Sequence, residues 1–402
     1  MRIAIASSGL GHVARGIESW AADLAAILRA DGYEVRLFKG SGTADHDYEQ
    51  VIGCARRDGR LVQTLHRWLP QRFFWRIGAG SPYAMEQLTF AVRLVRAVRQ
   101  WRADVVHVQD PMVALLLQHA WRLGRMAARI VLAHGTEEPL HFLRKIHYVQ
   151  HLAPWHLEEV RQQGCSKPTW TAIPNFIDTE RFRPGASYEF RASLGIPAHA
   201  LIALSCAAIK AKHKRIDYLI EEVSLLRKQA PDLPLWLIVA GSRAADTEGL
   251  VEAATNLLGD RVRFLVDFPR QRMPELYRAA DLFVLCSLKE MMPIALLEAI
   301  ASALPCLFHR HPVMEWMAGP AGYALDLRHR GALTSALIAA ANCPAERWKR
   351  GAAGRRHCVD HFEPHRVVRQ IIGYYHQIQS PGDQVPHATM KKPVPCSTAP
   401  SA

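Results

Sequence analysis

The sequence predicts an α/β protein built from two domains, each with a parallel sheet. In both halves of the chain, short apolar segments typical of buried strands alternate with longer segments of helical periodicity. The 402 residues exceed the usual size of one domain, so two domains of ordinary size are expected. A turn-rich segment, IPNFIDTERFRPG, separates the two halves and is interpreted as the hinge between them.

Ten strands are predicted from the apolar segments. In the first half they are RIAIAS, EVRLF, DVVHVQ, RIVLAH and IHYVQ, and in the second half LIALSCA, LWLIVAG, VRFLVD, DLFVLCS and PCLFH. The predicted boundaries are residues 1–185 for the first domain, 186–360 for the second and 361–379 for a C-terminal helix. Residues 380–402 contain five prolines and almost no bulky apolar residues, so this tail is expected to be disordered.

The composition describes a soluble globular protein, since 49% of the residues are hydrophobic and 22% are charged. The sequence has no run of about 18 apolar residues, so no membrane-spanning helix is expected. It opens directly into a strand-like segment without the layout of a signal peptide, and its eight cysteines form no C-x-x-C motif. Both features predict a cytoplasmic protein with free thiols. The net charge of +13 predicts an attraction to an anionic partner.

Two glutamates occur close together in the apolar segment LCSLKEMMPIALLEAIASALP. Because proline fits the first turn of a helix, a helix is predicted to begin at about Pro293. Glu290 then lies in the loop before this helix, and Glu298 lies in its second turn. Neither Met291 nor Met292 offers a capping oxygen, so the first-turn N–H groups are left for an outside anion such as a phosphate. The alternative is an ordinary buried helix with one glutamate in an ion pair.

A group of basic residues follows the first predicted strand of the second half, in AAIKAKHKRIDYLIEEV. Lys210, Lys212, Lys214 and Arg215 cluster where a parallel sheet opens onto its ligand crevice. Cations at this point would hold a diphosphate and stabilise it as it leaves. The alternative is a solvated lysine surface.

A glycine-rich loop, SSGLGHVARGIES, directly follows the first strand and contains Gly9, Gly11 and Gly16. Residues 9–14 match the dinucleotide pattern G-x-G-x-x-[GA], which is weak when it stands alone. A nicotinamide cofactor also requires an acidic residue near the end of the second strand, where this chain has Lys39. The same loop would equally let the backbone approach a sugar or an acceptor.

Ten arginines lie between Arg56 and Arg102, against only Asp58 and Glu86. Aromatic residues lie among them, as in LHRWLPQRFFWRIG. Arginines and aromatics together suit an anionic membrane surface, a phosphorylated acceptor is a second interpretation, and a solvated helix face is a third. Nucleic acid is not expected, because no recognisable binding motif adjoins these residues.

Taken together, these motifs resemble the family-4 (group 1) retaining glycosyltransferases of the GT-B fold, over about residues 2–378. The resemblance is carried by EMMPIALLEAIASALP, by the hinge IPNFIDTERFRP, by KHKRIDYLI and by LWLIVAG, VRFLVDF and LYRAADLFVLCS. It implies two Rossmann-like domains facing a cleft, with the acceptor on the first and a nucleotide-sugar donor on the second. The C-terminal helix is expected to cross back to the first domain.

The resemblance also implies roles for individual residues. Glu290 would contact the donor sugar near the reacting carbon, Glu298 the ribose and Lys214 the phosphates, and His134, in VLAHGTEE, would face the donor sugar from the first domain. A lone histidine after a strand is otherwise more often structural. The donor segment comprises Met291, Met292, Pro293 and Ile294, and the acceptor loop contains Gly9, Gly11 and Gly16. No metal and no cofactor are expected, since the helix N-terminus and the cations meet the diphosphate.

The chain departs from the family pattern at three places. The usual arginine five or six residues before Lys214 is missing, and Lys210 is expected to replace it. Met291 and Met292 stand where glycines are common, which predicts a tighter donor site. Ala303 stands where glycine is usual.

The sequence predicts a sugar transfer from a nucleoside-diphosphate donor to a glycan, lipid-linked or small-molecule acceptor, and the resemblance implies retention of configuration. Two alternatives come from other classes of protein. One is a catalytically silent protein that binds sugar nucleotides or a membrane, and the other is a dinucleotide-dependent oxidoreductase.

Overall fold

The computed structural model describes residues 1–13, 16–68 and 80–380, which form two parallel β-sheets. The first sheet contains β1 (Arg2–Ser7), β2 (Glu34–Lys39), β3 (Glu49–Val51), β4 (Val105–Val108), β5 (Arg129–His134), β6 (Tyr148–His151) and β7 (Thr171–Ala172). The second contains β8 (Leu201–Cys206), β9 (Leu235–Gly241), β10 (Val262–Val266), β11 (Leu282–Leu285), β12 (Cys306–His309) and β13 (Gly322–Leu325).

The α-helices of the described residues lie between and after these strands. In the first half they are α1 (Gly16–Ala30), α2 (Arg60–Trp68), α3 (Pro82–Trp101), α4 (Pro111–Arg122), α5 (Leu140–Leu143) and α6 (Pro154–Gln162). In the second half they are α7 (Tyr188–Ser193), α8 (Ile216–Gln229), α9 (Thr247–Leu258), α10 (Met273–Ala279), α11 (Ile294–Ala301), α12 (Pro312–Ala318), α13 (Ala332–Asn342), α14 (Pro344–Phe362) and α15 (Pro364–Gln379).

Both sheets follow the strand order of a Rossmann fold. The first runs β3-β2-β1-β4-β5-β6-β7 and the second runs β10-β9-β8-β11-β12-β13, with parallel pairing throughout. The order reverses direction next to the first strand of each sheet, between β1 and β4 and between β8 and β11. Ligands of open α/β sheets bind at the carboxyl ends of strands at such switch points. The prediction of two Rossmann-like domains with parallel sheets is confirmed.

All ten predicted strands are present, and three further strands were missed. The missed strands β3, β7 and β13 are two to four residues long and lie at or near sheet edges. Segments this short carry too few apolar side chains to give a periodic signal. Each of the three pairs with the strand that precedes it in the chain, namely β2, β6 and β12.

The C-terminal helix α15 packs against the first domain, as expected. The hydroxyl of Tyr375 lies 2.6 Å from Nδ1 of His107 on β4, and the hydroxyl of Tyr374 donates to the Thr169 carbonyl at 2.6 Å. Buried side chains from both sheets and from α15 form one continuous apolar core. The boundaries at residues 185 and 360 stay predictions, and the tail from residue 381 onward lies outside the described residues. Among the described helices, none is long and apolar enough to cross a membrane.

Candidate functional site

A cavity of about 260 Å³ lies between the two domains, at the switch points of both sheets. The start of α1 and the residues that follow β4, β5 and β6 border it from the first domain, and residues at or after the ends of β8 and β11 border it from the second. Its lining residues are Gly16, Ile17, Gln109, Gly135, Leu152, Asn175, Cys206, Lys214, Leu285, Glu290, Met292, Pro293, Ile294 and Ala295.

Lys214 and Glu290 form an ion pair inside this cavity. The ammonium group of Lys214, on the loop after β8, directly contacts Oε1 of Glu290, on the loop after β11. The Lys214 side chain is 19% exposed and that of Glu290 is 10% exposed, so both charges are largely screened from solvent by protein. The two residues are 76 positions apart in sequence, and the adjacency of β8 and β11 brings them together.

Helix α11 begins at the cavity with an N-terminus that no side chain caps. Pro293 occupies the N-cap position with an extended backbone and makes no side-chain hydrogen bond to the first turn. The predicted helix start is therefore correct to one residue. Pro293 and Ile294 line the cavity, so the first turn is next to the Lys214–Glu290 pair. The positive end of the helix dipole and a lysine ammonium group thus lie at one place, where they suit a phosphate.

The two methionines before α11 join the second domain to the first. The carbonyl of Met291 lies 3.2 Å from Nε2 of His156, and the backbone N–H of Asn175 donates to the sulfur of Met292 at 3.1 Å. Both methionines are buried, and Met292 lines the cavity. The tighter donor site expected from these methionines stays a prediction.

Glu298 lies one turn into α11, is almost fully buried and does not line the cavity. The hydroxyl of Tyr277 donates to its Oε2 at 2.8 Å, and Nη1 of Arg270 lies 3.6 Å from its Oε1. Burial raises the pKa of the Glu298 carboxyl, while Arg270 and then Tyr277 act in the opposite direction. The buried helix therefore contains one paired glutamate, Glu298, while the second paired glutamate, Glu290, lies in the loop before it.

The glycines of the loop after β1 permit close approaches within and between domains. Gly11 has φ of +100°, and a Cβ there would lie 2.1 Å from the carbonyl oxygen of Ser41, so only glycine fits. A Cβ on Gly16 would lie 3.2 Å from Cγ1 of Ile294, across the cleft. Of Gly9, Gly11 and Gly16, only Gly16 lines the cavity, and Gly9 packs instead against the Glu18 side chain.

His134 belongs to a cluster of buried histidines at the carboxyl end of the first sheet. Its Nδ1 lies 3.3 Å from Nδ1 of His151, and its ring centre lies 6.2 Å from that of His156. Burial lowers the pKa of His134 and that of His151 to about 3, so both rings are neutral near pH 7. His134 does not line the cavity, although its neighbour Gly135 does. Sequence reasoning did not find His151 or His156.

The basic cluster after β8 divides into residues with different contacts. Only Lys214 lines the cavity, Lys210 is half-buried outside the lining, and Lys212 is exposed. Arg215 donates from Nη1 to the Leu327 carbonyl at 2.8 Å and lies over the Tyr218 ring. Arg215 therefore has a structural position, and the four basic residues do not all line the cavity.

A possible set of metal ligands occurs elsewhere in the first domain. Ligand atoms of His12, Cys54 and Glu86 lie within 4.8 Å of one another. Arg57 donates to both oxygens of Glu86, and burial raises the pKa of the Cys54 thiol to about 12. A cationic neighbour and a protonated thiol both oppose metal binding. The absence of a catalytic metal stays a prediction.

The arginine-rich segment is partly exposed and partly paired. Arg57 is paired with the buried Glu86, and Arg56 is paired with Asp58. The other described arginines on α2 and α3 are exposed, and Leu61 (73%) and Val92 (67%) are exposed with them. The aromatic residues Phe73, Phe74 and Trp75 and the basic residues Arg72 and Arg76 lie outside the described residues, as does the side chain of Trp68.

Curated relatives match part of this chain. D-inositol 3-phosphate glycosyltransferase of Nocardia farcinica is 30% identical over 159 residues, which cover 37% of this chain and 35% of the relative. Mannosylfructose-phosphate synthase of Agrobacterium fabrum is 32% identical over 161 residues, which cover 38% and 35%. The chain thus spans about a third of the length of these curated relatives.

Solved structures match almost the whole chain. Sucrose-phosphate synthase from Thermosynechococcus elongatus aligns with a TM-score of 0.75 at 19% identity, covering 94% of this chain and 98% of that one. Anabaena HepE in complex with UDP and glucose aligns with a TM-score of 0.72 at 16% identity, covering 93% and 98%. At such identities the likeness shows the fold, which is GT-B.

Two family models match the two halves of the chain. The model of Glycosyltransferase Family 4 matches residues 14–181, and the model of glycosyl transferases group 1 matches residues 187–356. The first range contains Gly16 and His134, and the second contains Lys214 and both glutamates. The chain therefore belongs to the family-4, group 1 glycosyltransferases.

Proposed function

We propose that this protein transfers a sugar from a nucleoside-diphosphate donor to an acceptor, with retention of configuration at the anomeric carbon. The observation that carries the proposal is the meeting of Lys214, Glu290 and the uncapped N-terminus of α11 at one switch point. Lys214 and the free N–H groups of α11 suit a diphosphate, and the carboxylate of Glu290 suits sugar hydroxyls as an acceptor of hydrogen bonds. Structures of Anabaena HepE contain UDP and UDP-glucose, which supports a nucleotide donor here.

In the proposed reaction, the bond between the anomeric carbon and a diphosphate oxygen breaks while an acceptor oxygen bonds to the same face of the sugar. Lys214 and the N–H groups of α11 stabilise the charge that collects on the departing diphosphate. The acceptor hydroxyl passes its proton to the departing phosphate oxygen. Glu290 orients the sugar and Glu298 orients the ribose, so the reactants are held in place without a covalent nucleophile or a metal ion.

His134 faces the donor sugar in this proposal, as the resemblance implied. Its ring is neutral, and its Nε2 is buried without a hydrogen-bond partner in the described structure. A neutral imidazole next to the cavity-lining residue Gly135 is suited to a single hydrogen bond with a sugar hydroxyl. It is not suited to act as a cation beside the diphosphate.

A thermal-shift screen with UDP-, GDP- and ADP-sugars tests the proposal, because a ligand that binds only the folded state raises apparent stability. We expect the sugars of one nucleotide class to raise the melting temperature more than the others. NMR spectroscopy of the product formed from that donor then gives its anomeric configuration. A shift without transfer to any sugar, sugar-phosphate or lipid-linked acceptor would favour the silent binding protein. Stabilisation by NAD alone would favour the oxidoreductase.

We further propose that the exposed face of α2 and α3 contacts an anionic membrane. Arg93, Arg96 and Arg99 are exposed on α3 at three-residue spacing, next to the exposed Val92. Helix α2, which packs against α3, carries the exposed Leu61. Each cation near an anionic surface contributes on the order of 1 kcal/mol, and salt screens this attraction. Such a contact would bring the cleft to a lipid-linked acceptor.

Sedimentation with vesicles tests the membrane proposal. We expect binding to phosphatidylserine-containing vesicles at low salt, release at high salt and no binding to neutral vesicles. The combined change Arg67→Glu, Arg96→Glu and Arg99→Glu should abolish sedimentation and keep UDP affinity. The matched change Lys228→Glu, Lys349→Glu and Arg356→Glu reverses as many exposed charges on the second domain and should retain sedimentation. Wild-type protein that stays in the supernatant at low salt would exclude the membrane contact.

A further inference from the structure

Arg270 connects the carboxylate of Glu298 to the first domain. Its Nη1 lies 3.6 Å from Oε1 of Glu298, and its Nη2 donates to Oδ2 of Asp23 at 3.4 Å. Asp23 is on α1, in the first domain, whereas Arg270 and Glu298 belong to the second. One guanidinium group therefore contacts a carboxylate from each side of the cleft.

The surroundings of Arg270 fix its position at the junction of the domains. Arg270 begins a 3-10 turn, Arg270–Arg272, that follows β10. Its carbonyl accepts a hydrogen bond from Nη2 of Arg181, in the predicted hinge, at 2.9 Å. A cavity of about 350 Å³ adjoins this group and is lined by Asp23, Arg181 and Arg270 among others. The guanidinium thus lies where α1, the hinge and the donor domain meet.

We propose that Arg270 is a positioning residue for nucleotide recognition, which orients the Glu298 carboxylate and makes ribose binding depend on contact between the two domains through Asp23. The proposal rests on the proposed function, in which Glu298 accepts hydrogen bonds from the ribose hydroxyls. An ionised carboxylate accepts two such bonds with both oxygens, and charge assistance strengthens them. Arg270 supplies the nearest positive charge to a carboxylate that is almost fully buried.

The groups facing Glu298 come from five elements. Tyr277 on α10 donates to Oε2, Arg270 approaches Oε1, Arg181 in the hinge and Asp23 on α1 act from farther away, and Cys206 ends β8 beside Tyr277. Burial raises the pKa of Glu298, and Arg270 is the strongest influence that lowers it. Loss of the Arg270 charge would therefore raise this pKa further and leave less of the carboxylate ionised at neutral pH.

Because Arg270 also contacts Asp23, its position next to Glu298 depends on how the first domain is placed against the second. Asp23 is half-exposed on α1, whose first residue, Gly16, packs against Ile294 at the start of α11. If α1 moved away from the second domain, both contacts would be lost together. Arg270 would then contact only Glu298 and Arg181. Its guanidinium group would no longer be held in one position next to the Glu298 carboxylate.

Nucleotide binding by calorimetry tests this inference with UDP, GDP and ADP as probes. For the nucleotide that the wild type binds, Arg270→Gln should weaken binding about tenfold at pH 7, because Glu298 loses its ion-pair partner and its charge-assisted hydrogen bonds to the ribose weaken. Binding of the corresponding 2′,3′-dideoxynucleoside diphosphate, which lacks the ribose hydroxyls, should be unchanged by the same substitution. Arg270→Lys should restore part of the affinity, and Asp23→Asn should give a smaller loss.

The pH dependence and two controls separate positioning from a general structural role. The loss of nucleotide affinity at acidic pH should move to higher pH in Arg270→Gln, because Glu298 then becomes protonated sooner. Arg272→Gln, in the same turn and paired with Glu275 at 3.0 Å, should leave affinity unchanged. In a Glu298→Gln background, Arg270→Gln should have no further effect. Equal losses for the nucleotide and its dideoxy analogue would overturn the inference alone, whereas no binding of any nucleotide would overturn it together with the proposed function.

Discussion

The ion pair between Lys214 and Glu290 gives the most direct test of the site. Glu290→Gln keeps the shape of the side chain and one hydrogen-bond acceptor but removes the charge. Exposed ion pairs contribute up to about 1 kcal/mol, and breaking a fully buried pair costs roughly 3–5 kcal/mol. With side chains 19% and 10% exposed, this pair lies between those limits. We therefore expect a coupling energy of about 1–3 kcal/mol between the two residues.

The proposed roles predict that this substitution affects two ligands differently. Turnover should fall tenfold or more, because the sugar hydroxyls lose their charged acceptor. UDP lacks the donor sugar, so it makes no contact with Glu290 that could be lost. Its affinity should stay the same or rise, because the Glu290 carboxylate no longer competes with the diphosphate for Lys214. Lys214→Met should have the opposite pattern for UDP and weaken its binding, since the diphosphate loses a cation.

A double-mutant cycle measures the coupling energy by urea unfolding of the wild type, both single variants and the double variant. Glu137→Gln is the matched control, since it breaks the pair of Glu137 with Lys289, whose side chains are 53% and 52% exposed. This control should cost at most about 1 kcal/mol and retain turnover. A Glu290→Gln enzyme with wild-type turnover would refute the assignment of Glu290 to the donor sugar, whatever the coupling energy.

Further measurements address the phosphate contacts, the metal and the buried histidines. Lys214→Ala should weaken UDP binding, and Lys210→Ala should do so too only if Lys210 replaces the missing family arginine; calorimetry on both variants decides this. Transfer activity should survive treatment with EDTA, and its loss would contradict a metal-independent reaction. Burial lowers the pKa of His107, His134 and His151 to about 3, from 6.5. The unfolded chain thus binds protons that the folded chain does not, and the free energy of unfolding should fall as pH decreases from 6.5 towards 3. The slope should reach at most about 1.4 kcal/mol per pH unit for each histidine, measured by urea unfolding at several pH values.

The sheets and the start of α11 were predictable because their signals are local. Buried parallel strands are apolar along their whole length, and proline is favoured at the start of a helix, where its missing N–H costs nothing. The pairing of Lys214 with Glu290 is different, since it depends on β8 and β11 being neighbours. Only the family resemblance placed these two residues at one site before the structure was known.

Contacts between the domains carried no signal in the sequence. Asp23 is an ordinary acidic residue on an amphipathic helix, and Arg270 follows a strand as many surface arginines do. Their contact becomes visible only when two chain segments 247 positions apart are brought together. At Arg215 the sequence instead suggested a contact that the structure does not show. Its place in a basic run suggested a phosphate contact, but its guanidinium group donates to the carbonyl of Leu327.

Ala303, which stands where the family usually has glycine, lies just after the C-terminus of α11. Ala303 has φ of +61°, the left-handed conformation that glycine adopts without strain. Its N–H donates to the Ile300 carbonyl at 2.9 Å, and that of Leu304 donates to Ala299 at 3.0 Å, which is the pattern of a Schellman motif. The left-handed conformation costs a residue with a Cβ roughly 1–2 kcal/mol. Glycine avoids this cost but loses more chain entropy on folding.

Ala303→Gly should therefore stabilise the protein by about 0.5–1 kcal/mol in urea unfolding. UDP affinity should stay unchanged, because the substitution removes strain at the far end of the helix from the cavity. Ala253→Gly is the matched control, since Ala253 is exposed within the right-handed helix α9. The same chemical change should destabilise there by about 0.5–1 kcal/mol. Changes of opposite sign in the free energy of unfolding follow only if backbone conformation decides the effect. Destabilisation by both variants would show that the methyl group of Ala303 contributes more through packing than it costs in strain.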